Sequence, residues 1–279
     1  MKFKTLLLSL TLVICVLGIQ AFWLEPSNFI TTKTDINLAN WPTKCGNLRI
    51  VVLSDLHVGS PYNDIDNLVK VVEATNTIHP DLILLAGDFV IHEVIGGTFV
   101  EPESIVHELK KLTATLGVYA VLGNHDWWYS ATRMKKAFQQ ENIPLLENTA
   151  VRIQKGSCDF WLAGIGDYWM GQHDINKVME SIPDIAPVMA FTHNPDIFYE
   201  LPDRIAITFA GHTHGGQVNL PFLGRLIVPS RYGEKFAIGH ISEEGRNMFV
   251  TAGIGTSILP VRFRVPPEIA IVLLNRIRD

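Results

Sequence analysis

LRIVVLSDLH, residues 48–57, is the stretch that decides the fold. Its first six residues are apolar apart from Arg49, which is typical of a strand buried on both faces of a sheet. The run then ends on Asp55 and His57. Because these two residues are two positions apart in an extended segment, their side chains leave the backbone in similar directions and can reach one ion together.

Two further apolar runs end on polar residues in the same way. They are residues 82–86, which lead into Gly87-Asp88, and residues 117–122, which lead into Gly123-Asn124-His125-Asp126. Apolar residues at helical spacing between the three runs predict helices over residues 63–78 and 104–115. Open α/β sheets build their sites from such alternation, with polar side chains at the carboxyl ends of the strands.

The second half of the chain is richer in strand patterns. The predicted strands are residues 151–153, 159–165, 188–191, 205–210, 247–251 and 269–274, with helices near 175–180 and 195–200. Two of these strands lead into further histidines, which are His193 in T-H-N and His212 and His214 in G-H-T-H-G-G-Q. The pattern therefore gathers polar residues at strand ends in both halves.

Composition indicates a globular α/β protein. The chain has 279 residues, of which 47% are apolar and 18% charged, enough to bury a sizeable core. We expect one catalytic domain over residues 48–279, since no linker divides the polar segments, and a connecting segment over 25–47. The formal charge of −5 argues against nucleic acid as the main partner, and the sequence leaves the oligomeric state open.

The N-terminus reads as a membrane anchor over residues 1–24. Residues 5–24 carry no charge and would span about 30 Å as a helix. Lys2 and Lys4 precede this run and Glu25 follows it, so we expect a single-pass inner-membrane protein with the catalytic domain outside the cytoplasm. The cytoplasmic-facing orientation stays open. A cleaved signal peptide has similar marks, but no A-x-A site follows and the apolar stretch is long for a signal peptide.

The ordered set of D-x-H, G-D, G-N-H-D, a lone His and G-H-x-H resembles the calcineurin-like metallophosphoesterase family from about residue 48 to the C-terminus. The hydrophobic N-terminus, SRYGEK (230–235) and RFRVPPEI (262–269) look like the bacterial membrane-associated branch. The resemblance implies an α/β fold in which two mixed sheets pack face to face with helices outside, here preceded by one N-terminal hydrophobic helix.

The resemblance also implies a two-metal centre. The implied ligands are Asp55, His57 and His214 for the first ion, Asp88 as the bridging carboxylate, and Asn124, His193 and His212 for the second ion. His125 is implied to be no ligand but the catalytic residue that protonates the departing oxygen or stabilises the phosphoryl transition state. Since the set holds no thiolate, Mn²⁺, Fe, Zn²⁺ and Co²⁺ all suit it. A hydroxide bridging two such ions would attack the phosphoester.

The substrate is less sharply indicated. The stretch after Asp88 reads FVIHE, without the Asp and Arg of protein phosphatases, which disfavours that branch. We expect hydrolysis of a mono- or diester that is lipid-linked or contains a nucleotide, at the membrane. The alternatives are a UDP-2,3-diacylglucosamine-type pyrophosphate of lipid A synthesis and, in another class, a scaffold that has the fold without the chemistry.

Several other residues have two interpretations each. Aromatic residues at 127–129 and 168–169 either line the site or pack beneath it. Arginines 225, 231, 262 and 264 either bind a second phosphate or lipid headgroup or are surface cations. Cys45 and Cys158 either pair or remain separate thiols. Asp126 is expected to accept hydrogen bonds from loop amides. The histidines predicted to have no role in the site are His79, His92, His107, His173 and His240.

Overall fold

The computed structural model describes residues 2–170 and 173–276. Its α-helices are α1 (Lys2–Ile19), α2 (Ile65–Thr77), α3 (Pro102–Leu109), α4 (Asn124–Gln140) and α5 (Ile175–Glu180). Its strands are β1 (Ile30–Leu38), β2 (Leu48–Leu53), β3 (Leu82–Ala86), β4 (Val118–Val121), β5 (Thr149–Lys155), β6 (Cys158–Gly164), β7 (Val188–Phe191), β8 (Ile205–Ala210), β9 (Gly239–Glu243), β10 (Arg246–Val250) and β11 (Glu268–Arg276). A π-helical turn, Gln20–Leu24, continues α1.

The strands form two mixed sheets. The first has the order β1-β11-β2-β3-β4 and the second the order β5-β6-β7-β8-β10-β9. Alternate residues of β2 explain how the sheets pack: Ile50 and Val52 lie in the core between the sheets, whereas Val51 and Leu53 face the helices α2, α3 and α4. Helix α5 covers the outer face of the second sheet. The predicted fold of two face-to-face sheets with helices outside is confirmed.

Three elements were not predicted, namely β1, β9 and α4. Strand β1 lies within residues 25–47, which we expected only to connect the anchor to the domain, and it pairs along its full length with β11. Its sequence, ITTKTDINL, is largely polar and mostly exposed, so it lacks the apolar run of a central strand. Helix α4 is interrupted at Ser130, which breaks its helical period.

Two predicted helices differ in detail. Helix α3 begins at Pro102 and ends at Leu109, several residues before the predicted end. Residues 195–200 form a 3-10 helix that starts with a proline at its first position.

A disulfide joins Cys45 and Cys158. Cys45 ends a short 3-10 turn just before β2, and Cys158 is the first residue of β6. The bond therefore links the first sheet to the second. Of the two interpretations of these cysteines, the structure shows the paired one.

Helix α1 stands away from the domain and enters it beside the ends of the central strands. The span Phe3–Leu24 is long and apolar enough to cross a membrane, and Ala21, near its end, is its only buried residue among those that the structure describes. Strand β1 follows it, and Ile30 at its start pairs with Glu268 at the start of β11. Since β11 runs antiparallel to β2, with Ala270 opposite Val52, this is the edge at which β2 ends.

Candidate metal centre

All eight residues predicted for the site are buried at the carboxyl-terminal edge of the two sheets. They follow five strands: Asp55 and His57 come after β2, Asp88 after β3, Asn124 and His125 after β4, His193 after β7, and His212 and His214 after β8. Parallel neighbours in both sheets bring these strand ends to one place. The structure thus brings the whole predicted set to one end of the two sheets.

Asp55, His57 and His214 form the first group of potential ligands. The Nε2 atoms of His57 and His214 are 3.2 Å apart, and Nε2 of His214 lies 3.3 Å from Oδ1 of Asp55. Ligands bound to a common ion at about 2.0–2.1 Å are separated by about 3.2–3.4 Å, as trigonometry requires for near-tetrahedral angles. The three side chains are therefore spaced to bind one ion.

Asp88, His193 and His212 form the second group. Nε2 of His193 is 3.2 Å from Oδ2 of Asp88 and 3.2 Å from Nδ1 of His212. Asn124 is buried, and its Oδ1 has no hydrogen-bond partner among the residues that the structure describes. An unpartnered buried oxygen costs free energy unless a ligand satisfies it, and a cation would do so.

Asp88 belongs to the second group and also reaches the first. Its Oδ2 is 3.2 Å from Nε2 of His193 on one side and 3.6 Å from Nε2 of His57 on the other. Nε2 of His125 is 4.0 Å from the same oxygen, while the backbone N–H of His125 donates to Oδ1 at 2.8 Å. Asp88 is thus placed to serve both groups, with His125 beside it.

Backbone carbonyls fix the proton positions on two of the histidines. Nδ1 of His57 is 3.1 Å from the carbonyl oxygen of Val90, and Nδ1 of His193 is 2.7 Å from that of Ala86. A carbonyl oxygen can only accept, so each Nδ1 carries a proton and donates it. In the neutral rings, Nε2 then offers its lone pair to the site, as metal-binding histidines require.

Burial sets the charge on most of the imidazoles. It lowers the pKa of His57 to about 3 and holds the pKa values of His212 and His214 well below their usual range. These rings are therefore neutral, which is the form that binds a metal. Burial also lowers the pKa of His125.

The carboxylates differ from one another. Burial raises the pKa of Asp55 to about 6. Burial also opposes the charge on Asp88, but attraction to His193 and His125 outweighs it and holds the pKa of Asp88 well below its usual range. In turn, Asp88 overcomes the effect of burial on His193 and raises the pKa of that ring. A divalent ion competes with a proton for the position between these two side chains.

Five of the eight residues have left-handed backbone conformations. Their φ angles are 50° at Asp55, 40° at His57, 57° at Asp88, 71° at His212 and 50° at His214. Such conformations are strained for residues with a side chain and persist where the surrounding structure enforces them, often at functional sites. Gly87, directly before Asp88, has a φ of 88°, and a Cβ there would lie 2.6 Å from the backbone nitrogen of Gly123.

Asp126 joins two of the strand ends. Its Oδ2 accepts from the backbone N–H groups of Asp88 and Gly123, both at 2.9 Å. Its Oδ1 accepts from those of Phe89 and Val90, at 2.9 and 3.3 Å. The expectation that Asp126 accepts loop amide hydrogen bonds is confirmed, and the effect is to hold the Asp88 loop against the start of α4.

The site opens into a cavity of about 480 Å³. Trp128 and Trp169 line it, each about half exposed, whereas Trp127 and Tyr129 pack against the core beneath α2 to α4. His92, for which we predicted no role in the site, also lines the cavity, with its ring 6.1 Å from that of His125. No local signal marked it, because the loop that returns it to the site has no regular period.

Arg262 is neither a surface cation nor an anion-binding residue. It is fully buried, and its guanidinium donates to the carbonyl oxygens of Ala252, Gly253, Gly255 and Val265. Burial lowers its pKa to about 10, which leaves it charged. Its role is to hold the loop over residues 252–265.

Comparisons with known proteins agree with this geometry. Residues 48–216 match the family model for calcineurin-like phosphoesterases. The chain is 29% identical to the uncharacterized metallophosphoesterase YkuE of Bacillus subtilis, over 91% of this chain and 88% of that protein. It is 28% identical to the UDP-2,3-diacylglucosamine pyrophosphatase LpxG of Chlamydia trachomatis, over 89% and 90%. It is 27% identical to the phosphodiesterase YaeI of Escherichia coli, over 85% and 86%. The chain therefore belongs to the calcineurin-like phosphoesterase family and is a metal-dependent hydrolase of phosphoester bonds.

Proposed function

We propose that the chain hydrolyses a lipid-linked or nucleotide-containing phosphoester at the membrane, using two divalent ions. The observation that carries this proposal is the position of Asp88, whose Oδ2 lies within 3.6 Å of one histidine from each ligand group. One shared carboxylate is what allows two cations to bind close together despite their repulsion.

The geometry supports a division of roles among the side chains. Asp55, His57 and His214 would hold the first ion and Asn124, His193 and His212 the second, with Asp88 between them. Two ions bound there would polarise the phosphoryl oxygens and lower the pKa of a bound water. Mn²⁺, Fe, Zn²⁺ and Co²⁺ fit a donor set of nitrogen and oxygen.

His125 lies where it can act on the substrate and not only on a metal. Its ring lines the cavity beside Trp128, with ring centroids 4.8 Å apart. Its Nδ1 is buried and has no hydrogen-bond partner among the described residues. An imidazole at the wall of the cavity can stabilise the charge on a phosphoryl group in the transition state or, when it is protonated, give a proton to a departing oxygen. We therefore assign His125 the catalytic role.

The cavity wall favours an amphiphilic substrate. Trp128, Trp169, Ile227 and Ile258 contribute large apolar surfaces to a cavity that ends at the charged cluster. A phosphoester with an apolar portion would contact both the apolar wall and the charged cluster, whereas a small polar phosphoester would contact only the cluster.

The membrane setting is supported by α1 and by the disulfide. Disulfides persist in oxidising compartments, so the Cys45–Cys158 bond favours a catalytic domain outside the cytoplasm, as the lysines before α1 also do. A reporter enzyme fused to the C-terminus tests this orientation. Activity of a cytoplasm-specific reporter alone would reverse it.

A second candidate substrate is UDP-2,3-diacylglucosamine, in which the pyrophosphate bond would be cleaved. The observation that favours it is the similarity to LpxG along nine-tenths of both chains. Hydrolysis of a pyrophosphate bond, like that of a phosphoester, requires attack on phosphorus, which metal ions held at this site would promote. Direct comparison of this compound with simple diesters decides between the two candidates.

The first experiment uses the full chain, purified in detergent and loaded with Mn²⁺. We expect hydrolysis of p-nitrophenyl phosphate or bis(p-nitrophenyl) phosphate that is lost with a chelator and in Asp88→Asn. His107→Gln is a matched control, since that histidine lies on the surface in an ion pair with Glu141. Lack of activity with every metal offered would favour the scaffold alternative, and equal activity in Asp88→Asn would refute the two-metal assignment.

A further inference from the structure

Two neighbouring loops at the mouth of the cavity expose a patch of large apolar side chains. We call this patch the apolar lip; its members are Phe222, Leu223, Leu226, Ile227, Ile258 and Leu259, which are between 44% and 108% exposed. Soluble proteins seldom expose so many large apolar groups together unless another surface covers them. Two lip residues, Ile227 and Ile258, also line the metal cavity.

Hydrogen bonds join the two loops of the lip. The side-chain amide of Gln217 donates to the carbonyl oxygens of Ser257 and Leu259, at 3.2 and 3.4 Å, and its Oε1 accepts from the backbone N–H of Ser257. The backbone N–H of Phe263 donates to the carbonyl of Gln217 at 2.9 Å. The apolar side chains are therefore presented by a hydrogen-bonded base.

The same base holds the end of the N-terminal helix. The backbone N–H of Arg262 donates to the carbonyl oxygen of Ala21 at 2.9 Å, and that of Val265 donates to Oε1 of Glu25 at 2.6 Å. Only Pro260 and Val261 lie between Leu259 of the lip and Arg262. The lip therefore lies beside the point where the exposed apolar helix α1 meets the domain.

Charge beside the lip suits a lipid surface. Arg264 lies between the contacts to Ala21 and Glu25, is exposed, and has no ion pair or hydrogen-bond partner for its side chain in the described part of the chain. If the apolar side chains lie among the acyl chains, an unpaired arginine near them would lie in the headgroup region, where anionic lipids attract it.

We propose that the apolar lip inserts into the surface of the bilayer that α1 occupies, so that the metal cavity opens toward the membrane. The short link from lip to helix leaves the lip little freedom to turn away from that bilayer. Burial of its side chains among the acyl chains removes apolar surface from water, as it does for interfacial helices. The docking does not depend on the proposed substrate, because a soluble ester could be hydrolysed by a domain held in the same position.

Spin-label accessibility in lipid nanodiscs tests this docking. The full chain carries Cys15→Ala, which removes the free thiol, and a single label at Leu226→Cys in the lip. Ile185→Cys is the matched control, since Ile185 is 98% exposed but precedes β7 at the opposite end of that strand from the site. Thermal unfolding checks that both labelled chains are folded.

Three outcomes are distinguishable. We expect the label at position 226 to collide several-fold more often with oxygen, which concentrates in lipid, than with a water-soluble nickel chelate, and the label at 185 to show the reverse. Nickel accessibility at 226 equal to that at 185 would show a lip in water. Low accessibility to both reagents would show a lip covered by protein, such as a second copy. Either of the last two results overturns the proposal, and none of them depends on turnover.

Discussion

Asp126→Asn is predicted to loosen the site without replacing any proposed ligand. Each carboxylate oxygen of Asp126 accepts two backbone N–H groups, from Asp88 and Gly123 on one side and Phe89 and Val90 on the other. An amide keeps one oxygen and replaces the other with an NH₂ group, which cannot accept. Two hydrogen bonds are therefore lost, and two buried N–H groups lose their acceptor. Burial raises the pKa of Asp126 to about 8, so the loss is counted from the unpaired N–H groups and not from a full charge on the acceptor.

The expected cost follows from those two bonds. A buried N–H group left without an acceptor costs about 1–3 kcal/mol, so the substitution should lower the free energy of unfolding by about 2–6 kcal/mol. For a domain of this size, Tm shifts by roughly 2–4 °C per kcal/mol, which gives a fall of roughly 10 °C. Because the released amides include that of Asp88, bound metal should also fall.

Thermal unfolding by circular dichroism and metal content by elemental analysis measure the two effects. Asp159→Asn is the control, because it also replaces a carboxylate with an amide but breaks only a surface ion pair with Arg152. The Asp159 side chain is 40% exposed, and such a pair contributes about 0–1 kcal/mol to stability. The reasoning is refuted if Asp126→Asn unfolds at the same temperature as Asp159→Asn and retains the metal content of the wild-type protein.

Three further predictions follow from the same contacts. Arg262→Lys should lower Tm by roughly 5 °C, because an ammonium group has three donors for the five hydrogen bonds that the guanidinium makes to backbone carbonyls, and each lost bond costs about 1 kcal/mol. Calorimetry measures this fall, and an unchanged Tm would contradict the prediction. Reduction of the Cys45–Cys158 bond, which spans a sequence separation of 113, should remove about 4 kcal/mol of stability, measured as a lower urea midpoint after treatment with dithiothreitol, whereas an unchanged midpoint would count against it. His125→Asn should lower kcat by about 100-fold or more while bound metal is retained; loss of metal instead would make His125 a ligand.

Local patterns in the sequence predicted the central strands well. The predicted bounds of β2, β3, β7 and β8 are those of the structure, because each is an apolar run buried on both faces. These strands also predicted where the polar residues that directly follow them would lie, namely at the carboxyl ends of the strands. The proximity of Asp55 and Asp88 was predictable for that reason, since β2 and β3 are parallel neighbours whose carboxyl ends meet.

Edge elements and returning loops were not predictable in this way. Strand β1 is stabilised by pairing with a strand more than 200 residues away, as the bond from Thr32 to Glu268 across 236 positions shows. His92 reaches the cavity through a loop without a regular period. Neither depends on a pattern within a short window.

The sequence by itself determined the family, the α/β class and the residues that gather at the strand ends, because the local apolar periodicity and the spacing of the motifs record them. Tertiary structure alone decided that Cys45 pairs with Cys158, that Arg262 is buried among carbonyls, and that α1 meets the domain at the edge that holds the site. These features arise where segments distant in the chain pack together, and long-range pairing of that kind follows from the register of the sheets, which no single segment encodes.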